Sequence, residues 1–341
     1  MKLLFTPVLI SVVVLSIMYV WGGLPAFLIT LALAVLEITF SFDNAVINAR
    51  ILEKMPLRWQ QFFLTWGVLV SVGIVRFVLP VLIVSVVLAL SPSTVAVLIF
   101  TEPAKYAVLI AAAEPAIKAF GGTFLLLIAL RYFFNEKKDV HWFTIIERKF
   151  ASWGQLEAIN IALALSVLLL VAILSKHQSE IILESGLFGT VLFIAMEGVT
   201  RALGVEAKNV VHSGVAFFLY LSVLDMAFSL DSVVGAFAIT TSVPVIVAGL
   251  GIGAYFVRTL TLMLVRGGTL KRMLYLENGA HWAIFALAIC MFVALLTPLP
   301  EWFVASIGVM LIFFAYLSSK HVLVYELGDV GSGSSEEKSV L

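Results

Sequence analysis

Long apolar runs follow one another along almost the whole chain, and short polar stretches separate them. A helix needs about 20 predominantly apolar residues to cross a bilayer, and most of these runs reach that length. The pattern predicts about nine to ten transmembrane helices, near residues 3–21, 26–50, 62–88, 116–134, 156–175, 186–203, 211–240, 244–265, 279–297 and 302–318. The segment 94–115 is also apolar, but its charged residues and prolines favour a re-entrant or interfacial segment.

Composition supports this interpretation and narrows the fold class. Hydrophobic residues make up 62% of the chain and charged residues only 12%, and the mean hydropathy is +1.12. So little polar surface excludes a soluble globular protein and predicts an all-α polytopic membrane protein. The formal net charge is zero and the basic residues form no patch, so nucleic acid is excluded as a partner. The single Cys290 cannot form an internal disulfide.

The basic residues predict the orientation in the membrane. The first apolar run follows Lys2, as in a signal peptide, but no A-x-A cleavage pattern ends it, so we expect an uncleaved helix. Lys and Arg are concentrated in every second loop, with Lys176 as the exception, and such loops face the cytoplasm. Both termini are then cytoplasmic, and the expected location is the inner (plasma) membrane of a bacterium.

Two short acidic motifs stand inside predicted helices, one in each half of the chain. Residues 37–44 read E-I-T-F-S-F-D-N, and residues 225–232 read D-M-A-F-S-L-D-S. Because a carboxylate in hydrocarbon is costly, such residues usually serve a function, and their recurrence indicates an internal duplication. By the predicted topology the motifs cross the membrane in opposite directions, as in an inverted repeat. Arg76 and Arg258, each in the next helix, are a second correspondence, and we expect both near the motif carboxylates.

The duplication predicts how the chain is organised. The expected parts are an N-terminal transmembrane helix (1–25), repeat 1 (26–134), a cytoplasmic loop (135–155), linking helices (156–203), repeat 2 (204–320) and a partly disordered cytoplasmic tail (321–341).

The acidic motifs offer the oxygen ligands that hard divalent cations prefer. Carboxylates, hydroxyls and amide carbonyls, without a Cys or His cluster, suit Mg²⁺, Ca²⁺ or Mn²⁺. The candidate cation ligands are Glu37, Asp43, Asn44, Asp225, Asp231 and Ser232, with Ser41, Ser229, Arg76 and Arg258 in supporting roles.

The spacing within each motif sets a condition on this site. On a regular helix the first acid shares a face with the serine four residues later. Asp43 and Asp231, six residues after the first acid, join that face only if the helix is kinked or unwound near Ser41 and Ser229.

The motifs also carry a family resemblance. The E-I-T-F-S-F-D-N-A-V stretch at 37–46 and the F-S-L-D-S-V-V-G-A stretch at 228–236 resemble the paired motifs of the TerC family of membrane proteins. The Y-L-E-N-G-A-H-W-A-I stretch at 275–284 is similar to the DUF475 branch of that family. The resemblance implies a topology similar to LysE-type exporters and a role in metal-ion homeostasis, Mn²⁺ export above all, with an association with tellurite resistance. It places the acidic positions of the family at the six candidate ligands.

Transport is therefore the function that we expect, with the metal ion as substrate and no permanently bound cofactor. Exporting a divalent cation against the membrane potential costs about 2.3 kcal/mol per charge per 100 mV. The sequence contains no G-x-x-x-x-G-K-[ST] motif, so exchange for protons through the same carboxylates is the economical hypothesis. The expected partners are the lipid bilayer and the metal ion, and a homo-oligomer is left open.

Three alternatives remain open from the sequence. Arg76 and Arg258 could pair with Asp43 and Asp231, so that the acids serve only to hold the repeats together. A scaffold in metal or tellurite stress would need no transport. An intramembrane aspartyl protease also uses two acids, but the G-L-G-I-G at 249–253 lacks the Asp of the G-x-G-D motif, so we do not expect an enzyme.

Overall fold

The computed structural model describes residues 2–63, 76–136, 138, 140–153, 158–175, 178–202, 210–268 and 273–336. Within these ranges the regular secondary structure is helical throughout, which confirms the all-α fold class. The helices are α1 (Lys2–Phe40), α2 (Phe42–Lys54), α3 (Leu57–Phe62), α4 (Arg76–Val87), α5 (Pro92–Thr101), α6 (Pro103–Phe133), α7 (Thr144–Trp153), α8 (Ile159–Leu174), α9 (Ser179–Ala202), α10 (Val210–Ile239), α11 (Val243–Arg266), α12 (Leu276–Ala294) and α13 (Glu301–Glu336).

Helix α1 contains the first predicted helix and much of the second. The two segments meet at a kink at Gly23, whose φ of 69° is a left-handed conformation that glycine adopts without strain. The rings of Tyr19 and Phe27, on either side of the kink, contact each other edge-on with their centroids 6.3 Å apart.

Several helices are suited to cross a membrane. In the described ranges, five are long and apolar enough, in α1, α6, α9, α11 and α12, and the bent pair α4 and α5 would make up to six. Shorter apolar helices occur in α8, α10 and α13. Our count of nine to ten is higher for three reasons. Helix α1 holds two predicted helices, and three more predicted helices correspond to the shorter apolar helices in α8, α10 and α13. The predicted helix 62–88 includes residues 64–75, which lie outside the described ranges. The chain is a polytopic α-helical membrane protein.

The segment 94–115, which is not among the predicted transmembrane helices, is divided between two helices. Its first part belongs to α5, which turns by 120° from α4 as a broken span or re-entrant loop. Its second part is the start of α6, so the helix that we predicted over 116–134 begins earlier, at Pro103.

Helix α6 lies at the centre of the bundle, where α4, α5, α8, α9, α10 and α12 pack around it. All residues from Gly121 to Leu130 are buried. Small residues allow these close contacts, since a Cβ on Gly189 of α9 would lie 2.5 Å from the carbonyl oxygen of Phe120.

The short helix α2 lies inside the bundle and contacts α1, α10, α11, α12 and α13. Every residue from Asp43 to Ala49 is buried, so no side of this part of the helix faces lipid or water. Most of the polar residues of the first acidic motif are therefore held between helices from both halves of the chain.

Candidate functional site

The first acidic motif lies across a local deformation of the helix at Ser41. Ser41 separates α1 from α2 and has φ −101° and ψ 14°, while its N–H still donates to the carbonyl oxygen of Glu37 at 3.0 Å. The Ser41 hydroxyl donates to Glu37 Oε1 at 2.7 Å, and Glu37 itself is completely buried. The spacing of Glu37 and Asp43 places both acids on one face only if the helix is distorted near Ser41. The deformation occurs at that residue.

Helix α2 adds three buried polar side chains beyond the deformation, from Asp43, Asn44 and Asn48. Asp43 Oδ1 accepts a hydrogen bond of 2.9 Å from the backbone N–H of Asn44. The Oδ1 atoms of Asn44 and Asn48 are buried and accept no hydrogen bond from any described residue. Because Asn44 and Asn48 are four residues apart, their amide groups project from the same face of α2.

Helix α11 brings the second half of the chain against this motif. A Cβ on Gly253 would lie 2.4 Å from Cβ and Cγ of Glu37, and a Cβ on Gly249 would lie 2.6 Å from Cβ of Leu33. From the first contact to the second, the residue number increases by four in both helices, so α1 and α11 run parallel here. Glycines four residues apart allow this close approach of the two backbones.

The second acidic motif lies on α10, which is helical from Val210 to Ile239 without the interruption that α1 and α2 have at Ser41. Ser232 is buried and Asp225 is half-buried, and α10 contacts both α1 and α2. The side chains of Ser229 and Asp231 lie outside the described part of the structure. The two motifs thus occur on helices that touch, but with different backbone conformations.

The structure describes the side chain of only one of the two arginines that we expected near the acids. Arg76 begins α4, and its side chain is outside the described part of the structure. The Arg258 guanidinium lies 5.6 Å from the ring centroid of Tyr255, and its buried Nε donates to no described acceptor. Arg258 follows Gly253 by five residues, which places it about 140° around α11 from the side that contacts Glu37. Its pairing with a motif carboxylate stays a prediction.

Among the described side chains, which exclude that of Asp231, no three His, Cys, Asp or Glu residues form a group that could hold a metal ion. The structure does place Glu37, Ser41, Asp43 and Asn44 at one deformed helix junction. The complete set of six ligands stays a prediction because one of its four carboxylates is not described.

A second polar centre, which the sequence did not point to, surrounds Glu147. This carboxylate is fully buried, and it accepts hydrogen bonds from Lys138 Nζ at 2.6 Å, Asn278 Nδ2 at 2.9 Å and Trp282 Nε1 at 2.8 Å. The backbone N–H groups of Trp142 and Phe143 donate to it at 3.2 and 3.3 Å. Glu147 therefore fastens the start of α7 to helix α12.

Burial alone would raise the pKa of Glu147, but the hydrogen bonds and the charge of Lys138 outweigh it and hold the pKa below the ordinary 4.5. The carboxylate is therefore ionised at neutral pH. From the sequence alone, residues 135–155 are predicted to form a cytoplasmic loop. The only signal to the contrary is that Asn278 and Trp282 are polar residues four apart on one face of an apolar helix.

The Glu147 cluster is connected to helix α2. Arg50, near the end of α2, forms an ion pair of 2.7 Å with Glu277, which is next to Asn278 in the first turn of α12. Lys138 Nζ also lies 4.1 Å from the ring centroid of Tyr132. The segment that contains Lys138 and the end of α2 are thus on the same side of the molecule.

A comparison with protein families decides where the chain belongs. The model for DUF475, described as a protein of unknown function, matches residues 42–323, which is more than half of the chain. The chain belongs to the DUF475 family. Searches among curated proteins and among solved structures found no match.

The DUF475 match contains most of both centres. It includes Asp43, Asn44, the second acidic motif and the whole Glu147 cluster, and it begins just after Ser41. Glu37 is therefore outside the matched range, although the structure joins it to that range through Ser41 and Gly253. The DUF475 part of our expectation is confirmed.

Proposed function

We propose that this protein is a secondary transporter that exports a divalent metal cation, Mn²⁺ above all, through the acidic motifs. The observation that carries the proposal is the deformed junction of α1 and α2, where a fully buried Glu37 meets a helix with buried Asp43, Asn44 and Asn48. Interrupted helices with oxygen ligands inside a bundle are how many secondary transporters bind their ions.

The donor atoms favour a hard cation. Glu37 and Asp43 supply carboxylates, and the amide oxygens of Asn44 and Asn48 accept no hydrogen bond from any described residue. A buried acceptor without a donor is costly, and a cation in contact with it would remove that cost. Carboxylate and carbonyl oxygens suit Mg²⁺, Ca²⁺ and Mn²⁺, and the TerC-like motifs favour Mn²⁺ among them.

The contact between the two halves of the chain supports an inverted-repeat mechanism. Glu37 of the first repeat packs against Gly253 of the second, so a movement of α11 relative to α1 would change the surroundings of a carboxylate ligand. The resemblance to LysE-type exporters supports the same mechanism. In this proposal the protein lies in a bacterial inner membrane with both termini in the cytoplasm.

Protons are the proposed driving ions. Export of a divalent cation from a negative interior costs about 4.6 kcal/mol per 100 mV before any concentration gradient is counted, since two charges move. Protonation of Glu37 and Asp43 would remove the charge that holds the cation and release it on the outer side.

The test is flux through the purified full-length protein in proteoliposomes. We expect Mn²⁺ transport that depends on a pH gradient, is weaker for Mg²⁺ and Ca²⁺, and is lost in Asp43→Asn. Lys105→Gln is the matched control, because Lys105 is exposed and pairs only at the surface with Glu102. Flux that is equal in Asp43→Asn and the unmodified protein would contradict the proposal and favour a scaffold.

A further inference from the structure

Helix α7 has two faces of different character. Its inner face carries the buried Glu147 and the ring of Phe150, which lies 6.2 Å from the ring of Phe133 and 5.6 Å from that of Phe134. Its outer face carries Ile145, which is 89% exposed, and Trp153, which is 41% exposed. Large apolar side chains are thus presented outward from a helix that is firmly attached on its other side.

The attachment sets the height of α7 relative to the membrane. Phe133 is the last residue of α6, and Asn278 and Trp282, which bond to Glu147, are in the first two turns of α12. Both α6 and α12 are candidate membrane spans. Helix α7 therefore lies where two spans end, which is the level of the lipid headgroups.

The outer face combines apolar and basic side chains in one stripe. Ile145, Lys149 and Trp153 follow one another at intervals of four residues, so they project in nearly the same direction. Ile146, which is 45% exposed, and the exposed Arg148 flank the stripe. Because the only acid of α7, Glu147, points inward, the exposed charge of the helix is entirely positive.

We propose that α7 is an interfacial helix that binds anionic phospholipid headgroups of the membrane in which the protein is embedded. Ile145 and Trp153 enter the boundary between headgroups and acyl chains, where amphipathic rings are favoured, and Arg148 and Lys149 contact the phosphates. Charge complementarity identifies the occupant, since the cytoplasmic leaflet is negative and attracts Lys and Arg close to its surface. The proposal rests on the cytoplasmic location that the loop charges predict for residues 135–155, and it is independent of metal transport.

The first experiment measures lipid binding to the full-length protein in detergent by native mass spectrometry. Arg148→Gln with Lys149→Gln should weaken retention of phosphatidylglycerol roughly 30-fold, because each basic residue contributes about a factor of five to six. Retention of phosphatidylcholine should stay within about twofold. The control Lys105→Gln, at the far end of α6, should bind both lipids as the unmodified protein does. Unchanged phosphatidylglycerol retention in the double variant would overturn the proposal.

The second experiment locates Ile145 directly and does not depend on the charges. Ile145→Cys, in a Cys290→Ala background, is labelled with an environment-sensitive fluorophore and reconstituted in vesicles that contain phosphatidylglycerol. We expect quenching by a lipid-borne quencher placed near the headgroups and protection from aqueous iodide. Full quenching by iodide without lipid quenching would show that α7 faces water and would refute the proposal.

Discussion

Gly253 of α11 lies directly against Glu37 of α1, at a distance that leaves no room for a side chain. A Cβ on Gly253 would be 2.4 Å from both Cβ and Cγ of Glu37 and 3.1 Å from the carbonyl oxygen of Ala34. The position of a buried carboxylate in the first half of the chain therefore depends on a glycine in the second half.

We expect Gly253→Ala to destabilise the protein by about 1–3 kcal/mol, because overpacking forces the two helices apart. Gly251→Ala is the matched control, since a Cβ there meets nothing within 4 Å. Thermal unfolding in detergent measures both. An equally stable Gly253→Ala would mean that α1 and α11 do not pack this closely.

Removal of the buried charge of Glu147 should have a larger effect. Glu147→Gln leaves the ammonium of Lys138, whose side chain is only 7% exposed, without its carboxylate, and breaking such a buried pair costs about 3–5 kcal/mol. Glu180→Gln, at an exposed position in the first turn of α9, should change the unfolding temperature little. A double variant that also carries Lys138→Met should recover part of the loss.

The lowered pKa of Glu147 also predicts how the stability of the protein depends on pH. The pKa of Glu147 lies below the ordinary 4.5 in the folded protein, so its contribution to the free energy of unfolding is complete above about pH 4.5. This contribution is lost as the pH falls from that value through the lower folded pKa. The difference in unfolding temperature between the unmodified protein and Glu147→Gln should therefore shrink in this window. A constant difference would contradict an ionised Glu147.

Substitutions of the aspartates and of the serines in the acidic motifs should differ in their effect on transport. Asp43→Asn and Asp231→Asn should each abolish Mn²⁺ flux, because the amide keeps the shape but loses the charge that offsets a dehydrated divalent cation. Ser41→Ala and Ser229→Ala should only weaken flux, since a hydroxyl is one neutral ligand among several. Flux is compared at equal abundance in the membrane.

Accessibility labelling tests the orientation. A cysteine or tag at Pro56, after α2, and one at Glu136 should both react from the cytoplasm. Arg50 pairs with Glu277 at the start of α12, and Lys138 donates to Glu147, which also accepts from Asn278 in the same turn. One at Ser91, between α4 and α5, should react from outside. Reaction of Pro56 and Glu136 from opposite sides would contradict both the loop charges and the structure.

Much of the fold class could be predicted because it depends on local properties of the chain. The length of the apolar runs and the low charge content are sufficient to indicate helices in a membrane, since only such helices satisfy the backbone there. The acidic motif at 37–44 was recognised for a similar reason, because an acid inside an apolar run is visible without knowing its neighbours. Even the need for a distortion near Ser41 followed from the spacing of Glu37 and Asp43.

Tertiary structure decided which distant segments meet. The burial of α2 among five other helices and the close contact of Gly253 with Glu37 have no local signal. Glu147 is the clearest case. In the sequence Glu147 stands among basic residues, with three of its hydrogen-bond donors within nine residues of it. Only the folding of α7 onto α12 adds the donors of Asn278 and Trp282, which complete the five hydrogen bonds that make the burial of this anion favourable.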